Sequence, residues 1–143
     1  RDEWLRGYHN VLRPTLLLGR FRTAEKDPVA REKHLAQLLP SVGPWRWGGG
    51  PASYRLIGHY RGPATTVHLS KPPPDVDKRL GLVRSKDGPV VLLRAPGPVA
   101  YTGPRDDTVH PLLVWSELLV DGDSRAREAA ALLFDAQHLG AGP

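Results

Sequence analysis

Trp45-Arg46-Trp47, Tyr54, Arg55, Tyr60 and Arg61 place flat rings and guanidinium groups in one short region of the chain. Rings of this kind stack on bases, and guanidinium groups hold phosphate oxygens, so the set suits contact with nucleic acid. Arg20 and Arg22 lie two residues apart in an apolar segment, the spacing that puts both on one face of a strand. Arg20, Arg22, Arg46, Arg55 and Arg61 are therefore the candidate nucleic-acid-binding residues. The competing role for Trp45, Trp47 and Tyr54 is burial beneath a loop, and this is what we expect of the tryptophans. The competing role for Arg20 or Arg22 is pairing with an acidic residue to stabilise the sheet.

Other residue types offer less chemistry. His9, His34, His59, His68, His110 and His138 show no ligand spacing, and scattered histidines are expected at the surface or in turns. Asp75/Asp77 and Asp106/Asp107 read as loop acids, and Asp121/Asp123 bracket a helix turn. Gly48-Gly-Gly50 before a helix resembles a phosphate cradle but lacks the lysine and hydroxyl of a P-loop. Ser53, Ser116 and Ser124 lie in no nucleophile elbow. No catalytic residue, metal ligand or cofactor is expected, and an enzyme acting on nucleic acid is the weakest reading.

At 143 residues the chain can form one domain with a core of its own. It has no cysteine, which removes disulfides and thiolate metal sites and suits a cytoplasmic protein. Methionine is also absent and the chain opens on Arg1, so we expect a processed product or a portion of a longer protein. No signal peptide is visible, and no apolar run approaches the ~20 residues a membrane span needs. The formal charge of +5 fits a polyanion partner. It fits equally the arginine-, proline- and glycine-rich composition of a GC-rich genome.

Periodicity supplies the elements that must position these residues. Asp2 to Leu12 is expected as a helix with Trp4, Leu5, Tyr8, Val11 and Leu12 on one face, stopped by Pro14. Thr15 to Thr23 follows as a strand buried on both faces at its start. Asp27-Pro28 opens a helix to Leu39, with Leu35, Leu38 and Leu39 inward and Arg31, Glu32 and Lys33 outward. Gly43 to Pro51 reads as a loop whose glycines serve a tight turn or a close backbone approach. A helix over Ala52 to His59, with Leu56 and Ile57 buried, and a strand over Ala64 to Ser70 come next. Leu82–Arg84 and Val90–Arg94 flank Asp87-Gly88 and suggest a hairpin.

The most apolar sustained segment closes the chain. Pro111 opens a helix carrying Leu112, Trp115, Leu118 and Leu119, Gly122 ends it, and Asp123 caps a second helix striped by Ala126, Ala129, Ala130 and Leu133. The fold class is α+β: a sheet of three to four strands covered by helices, with a closing C-terminal helix pair. Residues 1–13 are expected to be a linker or exit helix from a preceding domain, and 14–143 a single α+β domain.

Three blocks carry a family resemblance: Leu12-Arg-Pro-Thr-Leu-Leu-Leu-Gly-Arg-Phe-Arg22, Trp47-Gly-Gly through Gly62-Pro-Ala-Thr65, and Pro111-Leu-Leu-Val-Trp through Arg127-Glu-Ala-Ala130. Together they resemble the C-terminal region of AbiEi-type antitoxins, the regulators of bacterial type IV toxin–antitoxin systems. Trp115 stands where the family more often has tyrosine, and His59 intervenes before Tyr60. The resemblance implies a winged helix-turn-helix preceding such a region, repression of the protein's own operon, and a nucleotidyltransferase-like toxin as functional counterpart. It brings no catalytic residue. Two roles follow as expectations: weak, phosphate-directed association with DNA, or an interaction or dimerisation module that orients the DNA reader, a homodimer being one form open to it.

Overall fold

The structure, a computed structural model, describes residues 2–139. Its centre is a pair of parallel strands, β3 (Thr65–Leu69) and β5 (Val90–Arg94). All of Thr65–Leu69 and Val90–Leu93 are buried, so both faces of these strands are covered, as parallel pairing requires. β2 (Trp45–Gly48) adds antiparallel to β3, and β1 (Leu17–Arg22) adds antiparallel to β5. The short β4 (Val83–Arg84) completes the order β2-β3-β5-β1-β4. The α+β class holds, with five strands in place of the three to four expected.

Two of the extra elements arise from misread loops. The Gly43–Pro51 segment is not a loop throughout: Trp45–Gly48 is an edge strand, and Gly49 opens helix α4 (Gly49–Ile57). The glycines do serve close approach. A Cβ on Gly50 would collide with the Arg61 carbonyl, and one on Gly48 with the His68 ring. The expected hairpin is also absent. β4 and β5 do not pair with each other, because β1 lies between them and pairs with both.

The first helix departs from its pattern as well. α1 (Asp2–Gly7) widens into a π turn over Tyr8–Leu12, and Pro14 does not stop the helix but lies in α2 (Arg13–Leu16). The wide turn bonds the Arg13 N–H to the Tyr8 carbonyl, and Pro14 then falls in a first turn, where its missing N–H is not needed. The altered period turns Val11 to solvent at 70 % exposure while Tyr8 is buried. Leu17 also faces solvent in part, so the start of β1 is covered on one side only.

Side-chain alternation sorts the sheet into two faces. Phe21, Val67, Leu69, Val90 and Leu92 join Leu35 and Leu39 in the main core. Helix α3 (Pro28–Leu38) supplies Leu35, and the Asp27 carboxylate caps it on the Ala30 N–H at 2.9 Å. Arg31 and Glu32 were expected outward on this helix, yet both are buried. Leu38, Leu56 and Ile57 are only half-buried. The opposite face presents Val91 and Leu93, which pack on Leu16 with Leu12 beside it.

The closing pair forms as its sequence dictates. α6 (Pro111–Asp121) ends at Gly122 in the left-handed region, and the Asp123 side chain accepts from the Arg125 N–H to begin α7 (Ser124–Ala136). Ala126, Ala129, Ala130 and Leu133 are buried, and small side chains there let α7 approach its neighbours closely. Helix α5 (Val76–Arg79) is a single turn after the proline connector.

Candidate nucleic-acid interface

The sheet register decides which of the five arginines share a surface. Arg20 lies opposite Val91, Val91 opposite Thr66, and Thr66 opposite Gly48, while Arg46 faces His68. Arg20, Arg22 and Arg46 therefore project from one face of the sheet. β1 and β2 are separated by three strand spacings, about 14 Å. Arg20 and Arg22 are exposed, and no carboxylate among the described residues lies within 4 Å of either. Arg20 is oriented by one hydrogen bond from Nε to the Gly88 carbonyl at 2.9 Å. Arg46 is more constrained: it donates to the carbonyls of Arg105 and Thr108 and stacks over the Tyr101 ring at 5.0 Å.

Arg55 and Arg61 belong to a different centre. Both turn onto the buried carboxylate of Glu32, at 2.8 and 2.6 Å, so the two guanidinium groups share one counter-charge. Each guanidinium also covers a ring, Arg55 over Trp47 at 4.8 Å and Arg61 over Tyr54 at 4.2 Å. Trp47 is buried, as the core reading of the tryptophans predicts, and meets Trp45 edge to face at 5.0 Å. Tyr54 is exposed in part, not core. Asp107 lies 3.6 Å from Arg55, and hydrogen bonds from Arg105 hold its carboxyl below the usual range.

A cleft of about 390 Å³ opens beside Arg20 on the shared face. Arg13, Thr66, Asp87, Glu117 and Asp121 contribute to its walls. Glu117, buried in the middle of α6, accepts from Arg13 Nε at 2.8 Å, from Arg13 Nη2 at 3.2 Å, and from the Tyr8 hydroxyl. Burial, then the charge of Glu117, pushes the Tyr8 hydroxyl well above the ordinary phenol range. Trp4 Nε1 donates to Ser116 Oγ at 2.9 Å, so the first helix is bonded to α6 at three side chains.

Beneath this cleft lies His68, fully buried on β3 rather than at the surface or in a turn. Neither of its ring nitrogens has a hydrogen-bond partner. Burial pushes its pKa down to about 4, partly opposed by the attraction of Glu117. The ring is therefore neutral at physiological pH. Among the described residues no group of three or more His, Asp or Glu is arranged to hold a metal ion. The phosphate-cradle reading of Gly48–Gly50 finds no room, since Gly48–Ser53 are buried and the Arg61 carbonyl closes on Gly50.

Arg31, Glu32 and Glu117 did not emerge from the sequence as buried polar groups. Glu117 and His68 did carry a signal, each a single ionisable residue inside an apolar run, the pattern of a buried and partnered group. Arg31 and Glu32 carried none, being adjacent charges on a helix with charged neighbours.

With this geometry in view, comparison with known proteins is short. No curated protein matches the chain, and no solved structure does. The family described as "Transcriptional regulator, AbiEi antitoxin, Type IV TA system" matches residues 1–138, nearly the whole chain, and the chain belongs to that family.

Proposed function

We propose that this chain acts as the regulatory, DNA-associating part of an antitoxin that controls transcription in the cytoplasm, holding phosphates on its arginine-bearing sheet face and orienting a winged helix-turn-helix. It performs no catalysis of its own. Its functional counterpart is a nucleotidyltransferase-like toxin. The observation that carries this reading is the pair Arg20 and Arg22, exposed on one face without a carboxylate within 4 Å among the described residues. Such cations cost little to bring onto a phosphate backbone, because no internal ion pair has to break. Arg46, on the same face, extends the track, although it must leave two carbonyls to do so.

The test is a salt titration of duplex binding by the chain and by the double variant Arg20→Ala/Arg22→Ala. Two lost phosphate contacts should lower the logarithmic salt slope by about two and weaken all sequences alike. The melting temperature should stay nearly the same. Unchanged binding at unchanged stability would overturn the DNA reading.

A second reading has its own observation. Arg55 and Arg61 are consumed by Glu32, so two of the five candidate arginines have little charge left to offer a phosphate. This favours an interaction module, acting as a homodimer that orients the DNA reader without touching DNA itself. Sedimentation of the chain separates the two readings: a stable dimer with no salt-dependent DNA binding supports the module.

A further inference from the structure

At the end of the sheet where β1 finishes and β3 and β5 begin lies a groove of about 840 Å³, divided from the Glu117 cleft by Pro63 and Pro89, which line both. Ala24, Pro28, Pro63, Val83 and Pro89 make much of it apolar. Arg22 and Lys26 stand on its wall with one acid, Glu25. Arg31 also lines it, and Arg31 is 98 % buried.

What surrounds that guanidinium is unusual for a buried charge. Arg31 donates to Thr65 Oγ1 at 2.8 Å, to the Lys26 carbonyl at 3.2 Å and to the Pro63 carbonyl at 2.6 Å. All three acceptors are neutral, and they take three of the five N–H donors a guanidinium has. No carboxylate among the described residues lies within 4 Å of it. Glu32 is the next residue, but it is committed to Arg55 and Arg61. Asp27 and Glu32 attract Arg31 only from farther off, and burial wins, drawing its pKa down. Buried charges normally carry a partner of opposite sign, because an unpaired ion in a low-dielectric site is costly.

From this missing counter-charge we infer that the groove is a binding site for a small organic acid, a carboxylate with an apolar body. The carboxylate meets Arg31, whose planar fork matches its geometry, with Lys26 and Arg22 adding attraction at the wall. The apolar body lies along Pro63, Val83 and Pro89. A monoanion suits the site better than a dianionic phosphate, since the apolar walls would strip a dianion of more hydration than they replace. The volume falls in the usual range for small-molecule sites. This site adjoins the DNA surface, sharing Arg22 and the Pro63 and Pro89 wall, but its central cation Arg31 is not among the DNA-contacting arginines, so the two readings are tested independently.

The probe is octanoate, followed by backbone and arginine side-chain NMR of the chain, with octanol and inorganic phosphate as controls. Octanoate should shift the signals of Ala24, Val83 and the Arg31 Nε–H together and bind at least about tenfold more tightly than either control. Val83→Trp, at an exposed edge position, fills the groove without changing charge. It should weaken octanoate by about tenfold or more while leaving the melting temperature and DNA affinity as they were. Lys26→Gln should weaken it by a few-fold, and Arg31→Lys, which keeps the charge and loses the fork, by more. Octanol binding as tightly as octanoate would reduce the groove to apolar partition and overturn the proposal. So would octanoate binding that survives Val83→Trp, phosphate displacing octanoate at equal concentration, or duplex DNA competing for the groove.

Discussion

Glu32 and Glu117 are both buried carboxylates inside helices, and they are neutralised in opposite ways. Glu32, on α3, meets two arginines brought from α4 and from the segment after it, each about a quarter exposed. Glu117, on α6, meets one arginine and one neutral phenol, both from the first helix, with Tyr8 almost wholly buried. The first centre therefore sets two cations against one buried carboxylate, with Asp107 near Arg55, and touches water at both arginines. The second pairs one cation with one carboxylate and is the drier, with Tyr8 buried and Arg13 17 % exposed at the cleft wall. Water can reach the Glu32 arginines if their partner is lost, and it can reach Arg13 at the cleft wall, whereas the Tyr8 hydroxyl has nowhere to turn. Location follows the same division: the Glu117 centre joins the first helix to α6, and the Glu32 centre joins α3 to α4.

Substitutions test that contrast, and the one with the largest effect lies one residue from Glu117. Leu118 is 2 % exposed, and Leu118→Asp places a carboxylate beside a paired one with no cation to meet it. The variant should unfold or aggregate, a loss of more than about 5 kcal/mol, visible as a missing cooperative transition in chemical denaturation. A folded protein would mean that α6 turns this position to a partner. Glu117→Leu comes next. It leaves the buried Tyr8 hydroxyl without an acceptor and the half-buried Arg13 without its counter-charge, and urea denaturation should show about 4 kcal/mol of lost stability.

Acid should probe the dry centre through His68. Its folded pKa of about 4 lies below the ordinary value of 6.5, so the unfolded chain binds the proton first as pH falls. The stability tied to the neutral ring is whole above pH 6.5 and drains away as pH drops to 4. It amounts to about 3 kcal/mol. His68→Phe should flatten this part of the pH–stability curve, and an unchanged slope would show that the ring finds a partner when protonated. Glu32→Leu should cost less than its counterpart on α6, about 2 kcal/mol, because Arg55 and Arg61 can rehydrate. If Glu32→Leu proved the more damaging of the two, the contrast between wet and dry centres would fail. The smallest effect is Tyr8→Phe. It removes one hydrogen bond while Arg13 still holds Glu117, and about 1 kcal/mol should be lost on the same urea measurement.

The ease of reading these regions from the chain differed for a physical reason. The α6–α7 pair was legible nearly to the residue, because Pro111, Gly122 and Asp123 act on their own backbone and the apolar stripe needs only the helical period. The Asp27–Pro28 start of α3 was legible for the same cause. Arg31 and Glu32 on that helix were misread as outward, since burial of a charge depends on partners 23 to 34 residues away. The arginine pair Arg20 and Arg22 was placed on one face by alternation, and the sheet register extended that face to Arg46.

The sequence by itself determined the elements whose causes are local: the Asp27 and Asp123 caps, the Gly122 stop, the alanine stripe, and the α+β class that their order implies. It also held the family resemblance, whose blocks span most of the chain. Tertiary structure alone decided the rest. It inserted β1 between β4 and β5 where a hairpin was the shorter path, because β1 pairs with both and buries Phe21 between them. It divided the arginines, leaving Arg20 and Arg22 at the surface and folding Arg55 and Arg61 onto Glu32. Charge is a property of the residue, but the freedom to use it depends on which carboxylate the fold brings near.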